Sequence, residues 1–128
     1  MWDVLTDFEQ FPRWNPFIRR IDGALAPRSR LAVKIQPPGG RALTFRPTVL
    51  RVRPEEHFAW RGRTLLPGLF DGEHTFDLEA LGAGRVRFVH AETFRGLLVP
   101  LLASTLRTTT RAGFDAMNAA LKARAEAA

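Results

Sequence analysis

The chain has 128 residues and a mass of 14.4 kDa, a size that one hydrophobic core serves, so it reads as a single domain over residues 1–128. With 45% hydrophobic and 25% charged residues, ten Phe and three Trp, intrinsic disorder is excluded. Cysteine is absent, which removes disulfide frameworks, zinc–thiolate sites, thiol nucleophiles and iron–sulfur clusters.

The net charge of +6 comes from 19 basic and 13 acidic residues, and Lys34 and Lys122 are the only lysines. So strong an arginine bias is more simply a codon bias than a nucleic-acid surface, which calls for clustering. The clusters are weak: Arg19 with Arg20, then Arg51 and Arg53, Arg61 and Arg63, Arg85 and Arg87. A spacing of two puts each of the last three pairs on one strand face, toward water. No nucleic-acid partner is expected. No apolar run approaches the roughly 18 residues of a membrane span, and no basic, apolar signal segment opens the chain. No integral membrane segment is expected, and the cytoplasm is the default location.

In chain order, Val4, Leu5, Phe8 and Phe11 recur at helical spacing, giving one or two short helices that Pro12 ends. Trp14-Asn15-Pro16-Phe17 is a rigid connector, because a residue before proline is held out of the helical region. Leu31 to Gln36 alternates as a strand, and Pro37-Pro38-Gly39-Gly40 turns into a run from Arg41 to Arg53, in which Pro47 implies a bulge or an edge. His57 to Arg63 is the next strand, with Phe58 and Trp60 on one face and His57 on the other, toward solvent. Leu65 to Gly68 reads as a loop.

Phe70 to Leu81 and Arg85 to Arg95 flank Gly82-Ala83-Gly84 as a hairpin. Phe70, His74, Phe76 and Leu78 share the core face of the first strand, and Val86, Phe88, His90, Glu92 and Phe94 that of the second. Pro100 to Ala125 is one long helix with Leu102, Leu106, Phe114, Met117 and Leu121 along an apolar stripe. The plan is α+β: short helices, an antiparallel meander and a long helix covering the concave side of the sheet.

Several segments, in this order, resemble the SRPBCC superfamily: Trp2-Asp3-Val4-Leu5-Thr6-Asp7-Phe8 with Trp14-Asn15-Pro16, Phe58-Ala59-Trp60-Arg61-Gly62, Gly72-Glu73-His74-Thr75-Phe76, His90-Ala91-Glu92-Thr93-Phe94-Arg95-Gly96 and Phe114-Asp115-Ala116-Met117-Asn118. Within it the chain is most similar to the polyketide cyclase/dehydrase-like proteins related to START lipid-transfer and birch-pollen-allergen domains. The resemblance implies a helix-grip fold, with a curved antiparallel sheet around the C-terminal helix and a hydrophobic ligand cavity between them. Members usually begin with a strand before the Trp-Asp-Val-Leu helix, for which Met1-Trp2 leaves no residues. Either the start lies upstream or the sheet has an open edge, and an open edge favours a homodimer.

A hairpin centred on Ala83 puts His74 opposite Glu92 and diagonal to His90; a slight shift puts His74 opposite His90. Both registers keep the three together on the inner face. Two imidazoles and a carboxyl in a Phe-lined wall need partners. Three readings fit: a satisfied structural network, a hook for the polar head of an apolar ligand, or acid–base catalysis or metal binding. Two His and one Glu match a zinc or iron ligand set, but without a helical His pair that signal is weak. The cavity lining is expected from Phe45, Phe58, Trp60, Phe70, Phe76, Phe88, Phe94, Phe114 and Met117, with Gly62 leaving room for a ligand. Trp14 and Asn15 either line the mouth or cap the sheet, and Arg46 reaches inward only if a bulge re-aims it.

Serines 29 and 104 lie in no nucleophile elbow, and the glycines form no phosphate loop. The leading expectation is therefore binding of a small hydrophobic or amphipathic ligand, with no cofactor. An alternative is a cyclase or dehydratase in which His74 or His90 is the base and Glu92 orients it. A second alternative is a partner-binding or chaperone-associated module.

Overall fold

The computed structural model describes residues 1–64 and 70–127, and the side chains of all of these except 63, 64, 70 and 102–107. The loop expected at Leu65 to Gly68, the side chain of Phe70 and those of Leu102 and Leu106 lie outside that description. The N-terminal segment forms helix α1 (Trp2–Thr6), a 3-10 turn (Phe8–Gln10) and helix α2 (Phe11–Trp14). Pro12 does not end a helix; it opens α2, where its missing N–H is one that the first turn leaves unbonded anyway.

Asn15 then takes an extended conformation and is fully buried. Its Oδ1 accepts the backbone N–H groups of Phe17 (3.0 Å) and Ile18 (2.8 Å). That side chain turns the connector into β1 (Ile18–Asp22), a strand whose short pattern the sequence reading passes over. Asn15 thus caps the sheet, and Trp14 beside it stacks edge-on to Phe11.

β2 (Ala32–Ile35) pairs with β1 and with β3 (Leu43–Phe45). The single run expected from Arg41 to Arg53 is two strands, because Pro47 has no N–H for a ladder; β4 (Thr48–Arg53) begins after it. Arg46 is exposed at this break, so it is not an inward anchor. Backbone bonds from Leu31 to Pro47 and between residues 28–29 and Val49 join the two sheets into one curved antiparallel surface. β4, β5 (His57–Thr64), β6 (Phe70–Gly82) and β7 (Arg85–Arg95) follow as a meander. His57 keeps its outward face but is buried: its Nδ1 is 2.6 Å from Asp77 Oδ1, and Arg51 Nε donates to its Nε2 at 3.4 Å. Cross-strand charged neighbours, rather than water, surround it.

The β6–β7 hairpin turns through Gly82, Ala83 and Gly84, all at positive φ. His74 pairs with Glu92 across it, so the register centred on Ala83 is the one adopted. Among the described residues β7 is bonded only to β6. Helix α3 (Val99–Ala127) lies against β7, α1 and α2. Gly113 allows the approach: a methyl group there would stand 2.3 Å from the ring of Phe17. A mid-helix glycine costs about 1 kcal/mol in propensity, and here it admits a buried aromatic. Among the described residues no helix is long and apolar enough to cross a membrane.

The core joins Leu5, Phe11, Ile18, Leu31, Val33, Val49, Phe58, Trp60, Phe76, Met117 and Leu121, each at most 1% exposed. Phe58 stacks on Phe76 with centroids 4.2 Å apart and receives the edges of Trp2 and Phe8. The N-terminal helices therefore fill much of the space between the sheet and α3.

Candidate ligand cavity between the last strand and the long helix

His74 on β6 and His90 and Glu92 on β7 point to the helix side of the sheet and meet there. Nδ1 of His74 lies 3.1 Å from Oε2 of Glu92, and Nε2 of His74 contacts Nε2 of His90. Nδ1 of His90 lies 3.0 Å from Oδ1 of Asn118 on α3. The rings sit in an aromatic stack: His74 is parallel to Phe76 at 4.2 Å, and His90 is parallel to Phe114 at 3.6 Å.

These contacts order the protons. With the amide oxygen of Asn118 toward it, His90 carries hydrogen on Nδ1 and donates it; its Nε2 then accepts from His74 Nε2–H. A neutral His74 protonated on Nε2 presents a lone pair at Nδ1, so the matching state of Glu92 is the protonated acid. Burial acts in the same sense on all three. It holds His74 well below its ordinary value, with the neighbouring His90 adding to the effect. It lowers His90 to about 4 against a raising contribution from the Asn118 bond, and lifts Glu92 to about 8. At pH 7 the cluster is uncharged.

Glu92 is the unsatisfied member. Its Oε2 is buried and, although near His74, makes no hydrogen bond of ordinary geometry. Oε1 rests over Gly72, where a Cβ would stand 2.6 Å from it. The acid faces a cavity of about 670 Å³ between β7 and α3, lined by His90, Ala91, Glu92, Phe94, Val99, Thr110, Arg111, Phe114, Asp115 and Asn118. Phe94, Phe114 and Val99 give it apolar walls. Arg111 and Asp115 form an exposed pair, 4.0 Å apart, on its helix side.

Of the expected site residues, His90, Glu92, Phe94 and Phe114 line this cavity. His74 lies one contact behind it. Phe58, Trp60, Phe76 and Met117 are packed into the core instead, because α1 and α2 supply the bulk that a ligand would otherwise occupy. Phe88 is a half-buried neighbour of Phe76 and His90. Phe45 is half-buried over Gly62, 3.4 Å from where a Cβ would be; the room left by that glycine holds a phenyl ring, not a ligand. Sequence reasoning missed Thr110, Arg111, Asp115 and Asn118 as lining. The signal was available: positions 111, 114, 115 and 118 follow the spacing of one helix face, and only Phe114 among them is apolar. Gly72 was also missed, since its use shows only once Glu92 is placed. Among the described residues no three His, Asp or Glu side chains are arranged to hold a metal ion; the two Nε2 atoms face each other.

Comparisons with known proteins agree with this architecture. No curated protein matches the chain. Among solved structures, protein NE0264 from Nitrosomonas europaea superposes with a TM-score of 0.63 at 18% identity, over 96% of this chain and 85% of that one. The di-domain ARO/CYC StfQ from the steffimycin biosynthetic pathway superposes with a TM-score of 0.61 at 15% identity, over 98% of this chain. The chain spans only 46% of that protein's length. Ara h 8.0201 gives a TM-score of 0.59 at 15% identity over 95% of this chain and 86% of its own. At these identities the likeness is one of fold, the helix-grip arrangement of a curved sheet around a long C-terminal helix. The model of the family described as polyketide cyclase / dehydrase and lipid transport matches residues 1–126, nearly the whole sequence, and the chain belongs to that family, within the SRPBCC superfamily.

Proposed function

We propose that this single-domain protein is a cytoplasmic binder of a small hydrophobic or amphipathic molecule, held between β7 and α3 with Glu92 and His90 as its polar anchor. The observation that carries the reading is the buried, unsatisfied carboxyl of Glu92 opening onto a cavity walled on one part by Phe94, Val99 and Phe114 and on the other by polar side chains of α3. A buried polar atom without a partner is costly, and a ligand group bonded to Glu92 removes the cost. Apolar walls with a few convergent polar groups are the usual composition of small-molecule sites. Titration with the neutral fluorescent probe N-phenyl-1-naphthylamine tests it. Saturable binding near one equivalent, weakened in Phe114→Ala and in Glu92→Ala, is the expected result, and the absence of saturable binding by wild type contradicts it.

A second reading, as a cyclase or dehydratase, is favoured by one specific observation: an acid lifted to about 8 on a cavity wall. A group that titrates near neutral pH is suited to proton transfer. In that reading Glu92 gives its proton to a ligand carbonyl and regains one from solvent when the product leaves, rather than orienting a histidine base. Conversion of a bound carbonyl compound by wild type but not by Glu92→Gln distinguishes it from binding alone.

A further inference from the structure

Resting on the cavity reading above, we infer that Glu92, His74, His90 and Asn118 form one hydrogen-bond chain with two opposite directions. Loss of one proton at Glu92 reverses the chain and turns the amide of Asn118 over in the cavity wall. Three links make the chain: Oε2 of Glu92 to Nδ1 of His74 at 3.1 Å, Nε2 of His74 to Nε2 of His90, and Nδ1 of His90 to the amide of Asn118 at 3.0 Å. A link holds one hydrogen, and a neutral imidazole carries its hydrogen on one nitrogen and a lone pair on the other. The hydrogen at one link therefore dictates the next.

Two orders leave no link with two hydrogens or with none. In the first, Glu92 is the acid and gives its hydrogen to Nδ1 of His74, Nε2–H of His74 donates to His90, and Nδ1–H of His90 donates to Oδ1 of Asn118. In the second, Glu92 is a carboxylate that accepts Nδ1–H of His74, Nε2–H of His90 donates to His74, and Nδ1 of His90 accepts from Nδ2 of Asn118. The two differ by one proton, released to solvent. Each ring ends with its hydrogen on the other nitrogen, and the amide has swung by half a turn. A carboxylate left facing the His74 lone pair would be a buried charge without a partner. Charging an imidazole instead is opposed by burial, which lowers both histidines.

Facing Glu92 are His74 and Gly72 from β6, and His90 and Phe94 from its own strand. The charged groups described on the α3 side are Arg111 and Asp115, an exposed pair at the mouth. Trp60 of β5 meets His74 edge-on and carries no charge. Burial keeps the proton on Glu92 up to about pH 8, so the reversal falls just above neutral pH. Asn118 is part of the cavity wall, and the end of its amide not engaged with His90 changes from NH2 to oxygen. The proton thus regulates which polar contact this part of the site offers.

The test is ligand-free: long-range nitrogen-15 NMR of the histidine rings in the full chain at pH 6.5 and 9.5. Hydrogen is expected on Nδ1 of His90 and Nε2 of His74 at the lower pH, and on the opposite nitrogen of both rings at the higher. The side-chain NH2 signals of Asn118, one of two asparagines in the chain, should shift in step. Glu92→Gln has no proton to lose there and should keep one set of tautomers at both pH values. Asn118→Asp ends the chain in a group that only accepts, and should hold hydrogen on Nδ1 of His90 even at pH 9.5. Wild-type tautomers that stay the same across the range, or that reverse equally in Glu92→Gln, overturn the inference. A failed probe titration beside a chain that does reverse counts against the cavity reading alone.

Discussion

The carboxyl of Glu92 rests on the backbone of Gly72, so close that a methyl group at position 72 would stand 2.6 Å from its Oε1. Gly72 has no positive φ, so its service is space rather than backbone freedom. Gly72→Ala should therefore push aside the flexible end of Glu92 and leave the strand intact. Thermal unfolding should show a stability within about 1 kcal/mol of wild type, since alanine is no worse than glycine in a strand. Affinity for N-phenyl-1-naphthylamine should fall by roughly 5- to 100-fold, the equivalent of one hydrogen bond to a buried group. Unchanged affinity would mean that Glu92 has no fixed place in the site.

Glu92 also gives stability a pH slope of known sign. The folded protein keeps its proton up to about pH 8, whereas the unfolded chain releases it near the ordinary value of 4.5. Between these values the folded state binds more protons, so stability falls as pH rises. His90, lowered from 6.5 to about 4, and His74, lowered as well, act oppositely until the unfolded imidazoles have lost their protons, about one pH unit above 6.5. From about pH 7.5 to 8.5 the Glu92 slope is thus nearly free of those of the histidines. Urea midpoints should drop over that interval in wild type and drop less in Glu92→Gln; equal slopes would count against a protonated Glu92.

Asn118 anchors the other end of the cluster. Asn118→Ala leaves the Nδ1–H of His90 without its partner and should cost about 1–3 kcal/mol in chemical denaturation. Asn118→Asp places a carboxylate 3.0 Å from the same nitrogen, which favours the imidazolium. The His90 ring, followed by NMR, should then titrate well above 4. A ring titration that stays put would show that Asn118 and His90 are not bonded in solution.

At the far side of the fold, the connector depends on a single amide. Asn15→Ala strips the acceptor from two buried N–H groups, those of Phe17 and Ile18. The expected loss is about 2–4 kcal/mol, because orphaned buried donors carry their full desolvation cost. Differential scanning calorimetry should show a clear drop in melting temperature, while a change of less than about 0.5 kcal/mol would remove Asn15 from the account.

The hairpin was the most legible part of the chain. Nine core-face positions and a three-residue turn left only two registers, and His74 and Glu92, equidistant from Ala83, pair as that turn requires. The long helix was legible from its stripe, and the family from ordered motifs. β1 was not, because Ile18–Asp22 has a mere two apolar residues and owes its entry to the Asn15 side chain. The cavity was misplaced toward the middle of the sheet for a related reason. Periodicity marks Phe58, Trp60 and Phe76 as inward but says nothing of what they meet, and they meet Trp2, Phe8 and one another. The polar positions of α3 that line the cavity lie off its apolar stripe, so helical periodicity alone does not mark them.

The anchoring role of Glu92 is tested most directly by a calorimetric titration of N-phenyl-1-naphthylamine into wild type and Glu92→Ala, with the mixture afterwards analysed for products. One saturable site is expected in wild type, with an affinity lower by roughly 5- to 150-fold in the variant and recovery of the ligand unchanged from both. Equal affinity in the two proteins, or no saturable heat in wild type, would contradict the claim that Glu92 anchors a ligand between β7 and α3.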